Sequence, residues 1–168
     1  MPATSDHLFA FLDQLNIPYQ TTNHPPLFTV EQSQALRGQI AGGHTKNLFL
    51  VERKRGLYLI VACEDAIIDL KNLHRHLDTT RFSFGSADLL REALGVEPGS
   101  VTPFAAINDT SQRVTIVLDA VMMRHQTLNF HPLVNTMTTS IEREGLLQFL
   151  DATGHHPRIE AIAHEGHT

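Results

Sequence analysis

Two apolar segments joined by a short basic turn constrain the fold of this chain more than any other feature. The segments run from Asn47 to Glu52 and from Leu57 to Cys63, and Arg53-Lys54-Arg55-Gly56 connects them. Apolar runs of this length, separated by a few residues that end in glycine, are typical of a β-hairpin. The middle of the chain is therefore predicted to be rich in β-structure.

Helical patterns lie on both sides of this hairpin. A first helix is expected after a cap at Ser5 or Asp6, and Pro18 should end it. Residues Thr29 to Gln32 have the form of a capping box, which predicts a second helix that stops at Gly38. Further helices are predicted over 69–76, 86–94 and 142–153, with caps at Asp69 and Ser86 and a stop at Gly95.

The remaining apolar runs complete the prediction of the fold. Strands are expected over 19–23, 114–118, 127–130 and 158–163. Helices and hairpins are mixed without regular β-α-β units, and neither repeats nor long linkers divide the chain. We therefore predict one α+β domain over residues 1–168, with a mixed, largely antiparallel sheet flanked by helices.

Composition excludes several classes of protein. The 168 residues are 42% hydrophobic, which is enough apolar surface to exclude a disordered chain. No apolar run approaches the roughly 20 residues that span a bilayer, and the N-terminus has no basic region followed by an apolar one. The single cysteine, Cys63, excludes a disulfide framework. We expect a cytoplasmic protein with no membrane partner.

The distribution of charge is uneven. The net charge is −5, yet residues 37–91 contain nine Lys or Arg against six Asp or Glu, a local balance of +3. A basic side on an acidic protein can still attract a polyanion. Random fluctuation explains the same numbers equally well, so charge alone does not identify a nucleic-acid partner.

Histidine and cysteine invite a metal or nucleophile interpretation, which the spacing does not favour. The candidate pairs are His74 with His76, His155 with His156, and His164 with His167, and none has the His-Glu-x-x-His spacing of a zinc site. Cys63 ends an apolar strand, where burial makes a thiol inert. We expect no metal and no cofactor. The glycine-rich phosphate loops and the Gly-x-Ser-x-Gly motif of acyl-enzymes are also absent from the sequence.

Three segments carry polar groups in unusual settings. In Gly43–Leu50, Lys46 begins an apolar strand, where burial of an ammonium would be costly. Gly99–Phe104 is turn-prone, with backbone amides that can face a ligand. In Phe130–Leu133, His131 is held between an aromatic residue and a proline. Taken singly, each also fits an ordinary structural role: a surface lysine, a capped loop and a hydrogen-bonded histidine.

Together these segments resemble the freestanding aminoacyl-tRNA editing domains of the YbaK/ProX family. The resemblance rests on four motifs, in the family's order and spacing: His24-Pro-Pro-x-Phe28-Thr-Val-Glu31, Thr45-Lys-Asn-Leu-Phe-Leu50, Gly99-Ser-Val-Thr-Pro-Phe104, and Phe130-His-Pro-Leu133 with Asn135. It covers roughly residues 5–160. The last motif is similar to that of the prolyl-tRNA deacylase branch that removes alanine. The resemblance implies the editing-domain fold and hydrolysis of Ala-tRNA(Pro).

The resemblance also implies roles for particular residues. Lys46 would anchor the substrate through a terminal phosphate or the aminoacyl carbonyl, Asn47 would position the ester or its amine, and His131 would hold water or substrate in the amino-acid pocket. The substrate-binding wall would consist of Gly99, Ser100, Thr102 and Phe104, with Asn135 orienting His131. The contacts to phosphates of the acceptor stem would be Arg53, Lys54, Arg55, Lys71 and Arg75.

The implied partners are the acceptor end of aminoacylated tRNA(Pro) and prolyl-tRNA synthetase, with no DNA partner. Two alternatives remain open. One is a deacylase of the same fold that removes cysteine from tRNA(Pro). The other is a module that binds tRNA or the synthetase without hydrolysis, which the presence of Lys46, Asn47 and His131 together disfavours. The sequence does not separate these on its own.

Overall fold

The structure is a computed structural model that describes residues 1–26, 31–32, 35 and 39–164, the last without its side chain. The predicted capping box at Thr29, the predicted helix stop at Gly38 and the histidine at 167 lie outside the described residues. The helices with described bounds are α1 (Ser5–Gln14), α2 (Leu73–His76), α3 (Ala87–Leu94) and α4 (Arg143–Ala152), and residues 31, 32, 35 and 39 are also helical. Short 3-10 helices cover Pro98–Ser100, Pro103–Asn108 and Met122–Arg124.

The helix boundaries follow local chemistry. The Ser86 side chain accepts a hydrogen bond from the backbone N–H of Leu89, and Gly95 ends the same helix with a φ of +67°, so both predicted caps of α3 are confirmed. The predicted caps of the other two helices are wrong. Thr4, rather than Ser5 or Asp6, caps α1 in a capping box with His7. Asn72 precedes α2, and Asp69 instead accepts a hydrogen bond from its side chain.

Ten strands have described bounds, and eight of them form one mixed sheet. The strands are β1 (Tyr19–Asn23), β2 (Gly43–Glu52), β3 (Leu57–Cys63), β4 (Ile67–Ile68), β5 (Phe82–Phe84), β6 (Val114–Asp119), β7 (Thr127–Phe130), β8 (Met137–Glu142), β9 (Arg158–Glu160) and β10 (Ala163–His164). The order in the large sheet is β1-β8-β7-β2-β3-β6-β9, with β5 also paired to β2, while β4 and β10 pair separately. Within that sheet, β2–β7, β3–β6 and β6–β9 are parallel and the other described pairings are antiparallel. The predicted mixed sheet is confirmed, although the predicted last strand divides into β9 and β10.

Helices cover the sheet unequally on its two faces. Helices α1, α3 and α4 pack over one face and enclose the larger core, which contains Phe49 and Val61. The other face has a smaller core with Leu50, Ile60 and residues of α2. Neighbouring residues of β2 therefore contribute to different cores, as the alternation of side chains along a strand requires.

Strand β2 changes partners along one edge, and this change creates an opening. It pairs with β7 through Gly43 and His44 and with β5 through Leu50–Glu52. Among the described strands, none pairs with residues 45–49 on that edge. At the two ends of this stretch, the Thr45 hydroxyl donates to the carbonyl of Asn129 (2.7 Å), and the N–H of Gly85 donates to the carbonyl of Phe49 (3.0 Å). Among the described strands, the sheet is thus interrupted beside residues 46–48, and this interruption is referred to below as the gap.

Candidate active site

The gap lies at the end of the β2–β7 pairing, where two predicted catalytic segments lie side by side. Gly43 pairs with Leu128 and His44 with Asn129 in parallel register. Lys46 and His131 each follow the last paired residue by two positions. Because parallel strands run in the same direction about 4.8 Å apart, both residues emerge at the same end of the β2–β7 pairing. The topology therefore brings these two segments, about 85 residues apart in sequence, to one place.

Lys46 lies on the face of β2 that carries the smaller core. It is half-buried, and its Nζ donates a hydrogen bond to the backbone carbonyl of Ala66, in the turn that follows β3. Among the described residues, no carboxylate forms an ion pair with it. Its positive charge is therefore held in position by a neutral acceptor and remains available to an anionic or polarised ligand.

Asn47 faces the opposite side of the strand, toward the larger core. Its register partner on β3 is Val61, and its side-chain Oδ1 is buried with no hydrogen-bond partner in the described part of the chain. A buried acceptor without a partner costs about 1–3 kcal/mol, so it usually marks a position that a ligand or water completes. The backbone of Asn47 also points into the gap, because the carbonyl of Phe49, two residues along, points that way to Gly85.

The imidazole of His131 has a defined tautomer. Its Nδ1 lies 3.0 Å from the carbonyl oxygen of Met137, and since a carbonyl only accepts, Nδ1 carries the proton. Burial lowers the pKa of His131; the hydrogen bond to Met137 opposes this shift, and the charge of nearby His24 adds to it. The ring is therefore neutral at neutral pH, with Nε2 as an acceptor. Met137 orients the ring, which corrects the expectation that Asn135 does so.

His24 is a neighbour of His131 that the sequence motif contained without indicating its role. The two ring centroids lie 6.3 Å apart. Nδ1 of His24 donates to the carbonyl of Pro25 (2.8 Å), and its Nε2 is hydrogen-bonded to the hydroxyl of Thr138 (2.8 Å). These contacts fix the ring of His24 beside that of His131.

The turn that holds His131 is anchored from two sides. The Ser5 hydroxyl, at the start of α1, donates to the carbonyl of Pro132 at 2.6 Å. Leu133 has a φ of +72°, which is unfavourable for a branched side chain, and its burial in the larger core holds it in this conformation. The position of His131 therefore depends on packing some distance from the gap.

The predicted wall separates into a surface part and a supporting part. Gly99 is exposed, and a Cβ added there would lie 3.3 Å from Nδ2 of Asn135, so these two predicted residues are adjacent. Ser100 is largely buried beside them. Thr102 and Phe104 have no exposed surface. In a correction to the prediction, these two residues support the wall without forming its contact surface.

The reason lies in the core packing of this segment. The Thr102 hydroxyl accepts a hydrogen bond from the N–H of Phe104 (3.2 Å) and so begins a 3-10 helix. The Phe104 ring makes edge-to-face contacts with Phe130 (5.7 Å between centroids) and Phe149 (5.4 Å). Because Phe130 directly precedes His131, the same cluster supports both sides of the site.

The predicted phosphate contacts form two exposed groups. Arg53, Lys54 and Arg55 occupy the turn between β2 and β3. Lys71 and Arg75 line a cavity of about 430 Å³ beside α2 and β5. Arg81 also lines this cavity and is a third cation there, which the sequence analysis did not name. Its position directly before Phe82-Ser83-Phe84, a basic residue next to aromatic ones, could have indicated a nucleic-acid contact.

Cys63 and His155, two other candidates from the sequence, lie in surroundings typical of structural residues. Among the described residues, no three His, Cys, Asp or Glu side chains could together hold a metal ion. Burial raises the pKa of the Cys63 thiol to about 11, with Asp65 and Asp119 adding to the shift, which suits an inert thiol. His155 is buried against Asp109, with 2.9 Å between Nε2 and the carboxylate. No helix in the described ranges is long and apolar enough to cross a membrane.

Known proteins match this chain over most of its length. The family model for the aminoacyl-tRNA editing domain matches residues 24–149. The prolyl-tRNA synthetase associated domain-containing protein 1 of Danio rerio is 38% identical over 151 residues, covering 89% of this chain and 82% of that protein. The prolyl-tRNA editing protein ProX of Acetoanaerobium sticklandii is 34% identical over 148 residues, covering 88% and 90% respectively.

A solved structure shows the same fold. A crystal structure described as a candidate trans-editing enzyme for prolyl tRNA synthetase superposes with a TM-score of 0.67, covering 95% of this chain and 98% of that one. The two sequences are 16% identical, so this likeness supports the fold alone.

Proposed function

This chain belongs to the aminoacyl-tRNA editing domain family, and we propose that it hydrolyses mischarged Ala-tRNA(Pro) in trans. The observation that carries the proposal is the gap beside β2, where Lys46 and the neutral His131 emerge together and the next residue, Asn47, holds an unsatisfied buried oxygen on the opposite face of the strand. These three groups match the motifs that suggested the editing family.

The proposed reaction breaks the ester bond between alanine and the terminal ribose. Water adds to the aminoacyl carbonyl carbon, the carbon–oxygen bond to the ribose breaks, and the ribose oxygen takes up a proton. The products are free alanine and uncharged tRNA. An aminoacyl ester is already activated, so the chemistry requires a positioned water and stabilisation of the developing oxyanion more than a covalent nucleophile or a metal. The neighbouring ribose hydroxyl is available to help activate the water.

The residues at the gap suit complementary roles in this reaction. The ammonium of Lys46 can anchor a terminal phosphate or stabilise the oxyanion. The buried Oδ1 of Asn47 can accept from the substrate's ammonium group or ribose hydroxyl. Because Nδ1 of His131 donates to Met137, its Nε2 can accept a hydrogen bond from water or substrate.

Rejection of proline is proposed to come from size. A synthetase pocket that accepts proline discriminates against a smaller apolar amino acid by only about 10–200-fold, so a second, smaller site is needed. We assign the wall of that site to Gly99, Ser100 and Asn135, held from behind by Phe104. A rigid aromatic core behind the wall would prevent it from yielding to the proline ring.

The basic groups are proposed to bind the acceptor end of tRNA(Pro). Arg53–Arg55 and the cavity cations Lys71 and Arg75 are exposed and can contact phosphates. Prolyl-tRNA synthetase is the proposed protein partner, and the proposed location is the cytoplasm. We propose no metal and no cofactor.

The decisive assay compares three esters. Purified protein is mixed in excess with tRNA(Pro) charged with alanine, cysteine or proline, and ester loss is followed against the rate without protein. We expect rapid loss of alanine and near-background loss of proline. The variant His131→Gln should lose activity, while His156→Gln, which changes an exposed histidine outside the site, should not.

Each other outcome has a specific meaning. Comparable hydrolysis of the alanine and proline esters would refute an editing role, because the enzyme would destroy the correct product. Hydrolysis of the cysteine ester alone would support the cysteine-removing alternative. Binding of tRNA without loss of any ester would support the non-catalytic module.

A further inference from the structure

Phe84 is exposed to an unusual degree for an aromatic side chain. It ends the short strand β5, and 64% of its surface is accessible to solvent. Among the described residues, its ring makes no aromatic contact and belongs to neither hydrophobic core. By contrast, Phe82 on the same strand packs against the smaller core and contacts Tyr58 edge-to-face. Core packing therefore explains Phe82 and leaves Phe84 unexplained.

The backbone around Phe84 is well fixed. Phe84 pairs directly with Leu50 of β2. The next residue, Gly85, donates its N–H to the carbonyl of Phe49 at 3.0 Å. A Cβ at Gly85 would collide with the Phe49 ring, so glycine is what allows β5 to lie this close to β2. The exposed ring is thus carried by an ordered strand.

Phe84 lies on the same face of the sheet as Lys46. Directly paired residues of antiparallel strands share a face, so Phe84 lies on the Leu50 side, and Lys46 precedes Leu50 by four residues. Four residues of strand span about 13 Å. At about 3.4 Å per stacked base, a few nucleotides cover that distance.

Positive charge continues along the same line beyond Phe84. Arg81 lies three residues before it, and the carbonyl of Arg81 accepts from the N–H of Arg53 (3.1 Å) at the basic hairpin turn. Lys71, Arg75 and Arg81 all line the cavity of about 430 Å³. Two acidic neighbours lie beside these cations. Glu52 is the register partner of Phe82, and hydrogen bonds from the side chains of Thr79 and Thr80 lower its pKa to about 2. The pKa of Asp69 is lowered chiefly by a hydrogen bond from the Asn72 side chain.

We propose that Phe84 is a stacking platform for an unpaired base near the 3′ end of the substrate RNA. The inference rests on the proposed function and adds to it a route for the RNA. The aminoacylated 3′ end contacts Lys46, and an unpaired base stacks on Phe84. The phosphates that follow contact Arg81 and the basic turn between β2 and β3. An exposed aromatic ring flanked by cations is the usual surface for a single-stranded nucleic acid, whereas a paired base has its face covered by its neighbours.

The first test is kinetic. Phe84→Ala should lower kcat/KM for Ala-tRNA(Pro) by roughly 5- to 150-fold, the effect of losing one base–aromatic stack. Phe84→Trp should restore it, while Phe84→Leu, which keeps an apolar side chain without an aromatic face, should not. The matched control is Ile159→Ala, because Ile159 is also half-exposed, on the distant three-residue strand β9. This control should hydrolyse the ester like the unchanged protein.

The second test measures stacking without catalysis. An uncharged RNA hairpin of the acceptor stem carries 2-aminopurine at one unpaired 3′ position at a time, and its fluorescence is followed on binding. We expect quenching at one position with the unchanged protein and with Phe84→Trp, and no quenching with Phe84→Ala.

The two tests separate this inference from the proposed function. If the unchanged protein hydrolyses Ala-tRNA(Pro) and Phe84→Ala does so equally well with equal quenching, the platform is refuted while the editing function stands. If no ester is hydrolysed but quenching depends on Phe84, the platform stands and the editing function fails. Equal rescue by leucine and tryptophan would show that the position requires only an apolar side chain, and would also overturn the proposal.

Discussion

Replacement of Lys46 by methionine separates the charge of this residue from its packing. Methionine keeps an unbranched apolar side chain but removes the ammonium that donates to the carbonyl of Ala66. Loss of a hydrogen-bond partner costs about 1–3 kcal/mol when the remaining group is fully buried. Lys46 is not fully buried, so water can reach part of this contact and the lower end of the range applies. We expect a loss of about 1 kcal/mol, or roughly 2–4 °C in Tm for a domain of this size.

The expected effect on catalysis is much larger. Removal of one donor that stabilises a developing oxyanion costs about 10²–10³ in rate, or roughly 3–4 kcal/mol of transition-state stabilisation. A domain of ordinary stability, about 5–15 kcal/mol, remains almost entirely folded after losing 1 kcal/mol. Unfolding therefore cannot account for a 100-fold loss of activity. Lys46→Arg should restore little, because the planar guanidinium directs its donors differently from an ammonium.

The assay is single-turnover hydrolysis of Ala-tRNA(Pro) beside a thermal melt of each variant. Arg113→Met is the control for loss of one positive charge, since Arg113 is half-exposed and lies outside the gap. A folded Lys46→Met protein within threefold of the unchanged rate would refute a catalytic role for the ammonium. A fall of more than 10 °C in Tm together with lost activity would show that the lysine is structural.

Four further predictions test other parts of the site. Raising monovalent salt from 50 to 200 mM should weaken substrate affinity roughly 10- to 50-fold if about three phosphates are contacted. Neutralising Arg53–Arg55 should make the affinity less dependent on salt, and an affinity of the unchanged protein that is independent of salt would show that the basic surface does not bind phosphates. Because burial lowers the pKa of His131, the neutral imidazole persists below pH 6.5, the ordinary pKa of histidine. The part of the rate that depends on His131 should therefore stay constant from pH 8 to 6.5 and fall only at lower pH, and a decline centred above pH 7 would contradict this. His155→Ala should reduce the free energy of unfolding in urea by about 1–3 kcal/mol, because it removes one hydrogen-bond partner from the buried Asp109 carboxylate, which keeps those from the backbone N–H groups of Arg113 and Val114; no measurable loss would mean that the contact contributes little. Dialysis against a strong chelator should leave the deacylation rate unchanged, and a large loss restored by zinc would show that a metal takes part.

Features that depend on near neighbours in the chain followed from the sequence. The β2–β3 hairpin is confirmed because its apolar runs and its turn are contiguous. The α3 helix is confirmed because its serine cap and glycine stop act through the backbone within one turn. The family motifs likewise located the segments that carry Lys46 and His131, since the spacing of a motif is a property of the chain itself.

Only the tertiary structure decided how those segments face one another. The parallel pairing of β2 with β7 joins residues about 85 positions apart, and no local pattern specifies such a partner. The same holds for the burial of Thr102 and Phe104, which depends on rings from β7 and α4, and for the Met137 carbonyl that sets the His131 tautomer. The exposure of Phe84 is likewise set by where the smaller core ends. Local interactions are encoded over a few residues, whereas the surroundings of a side chain depend on strands and helices that the whole chain must first assemble.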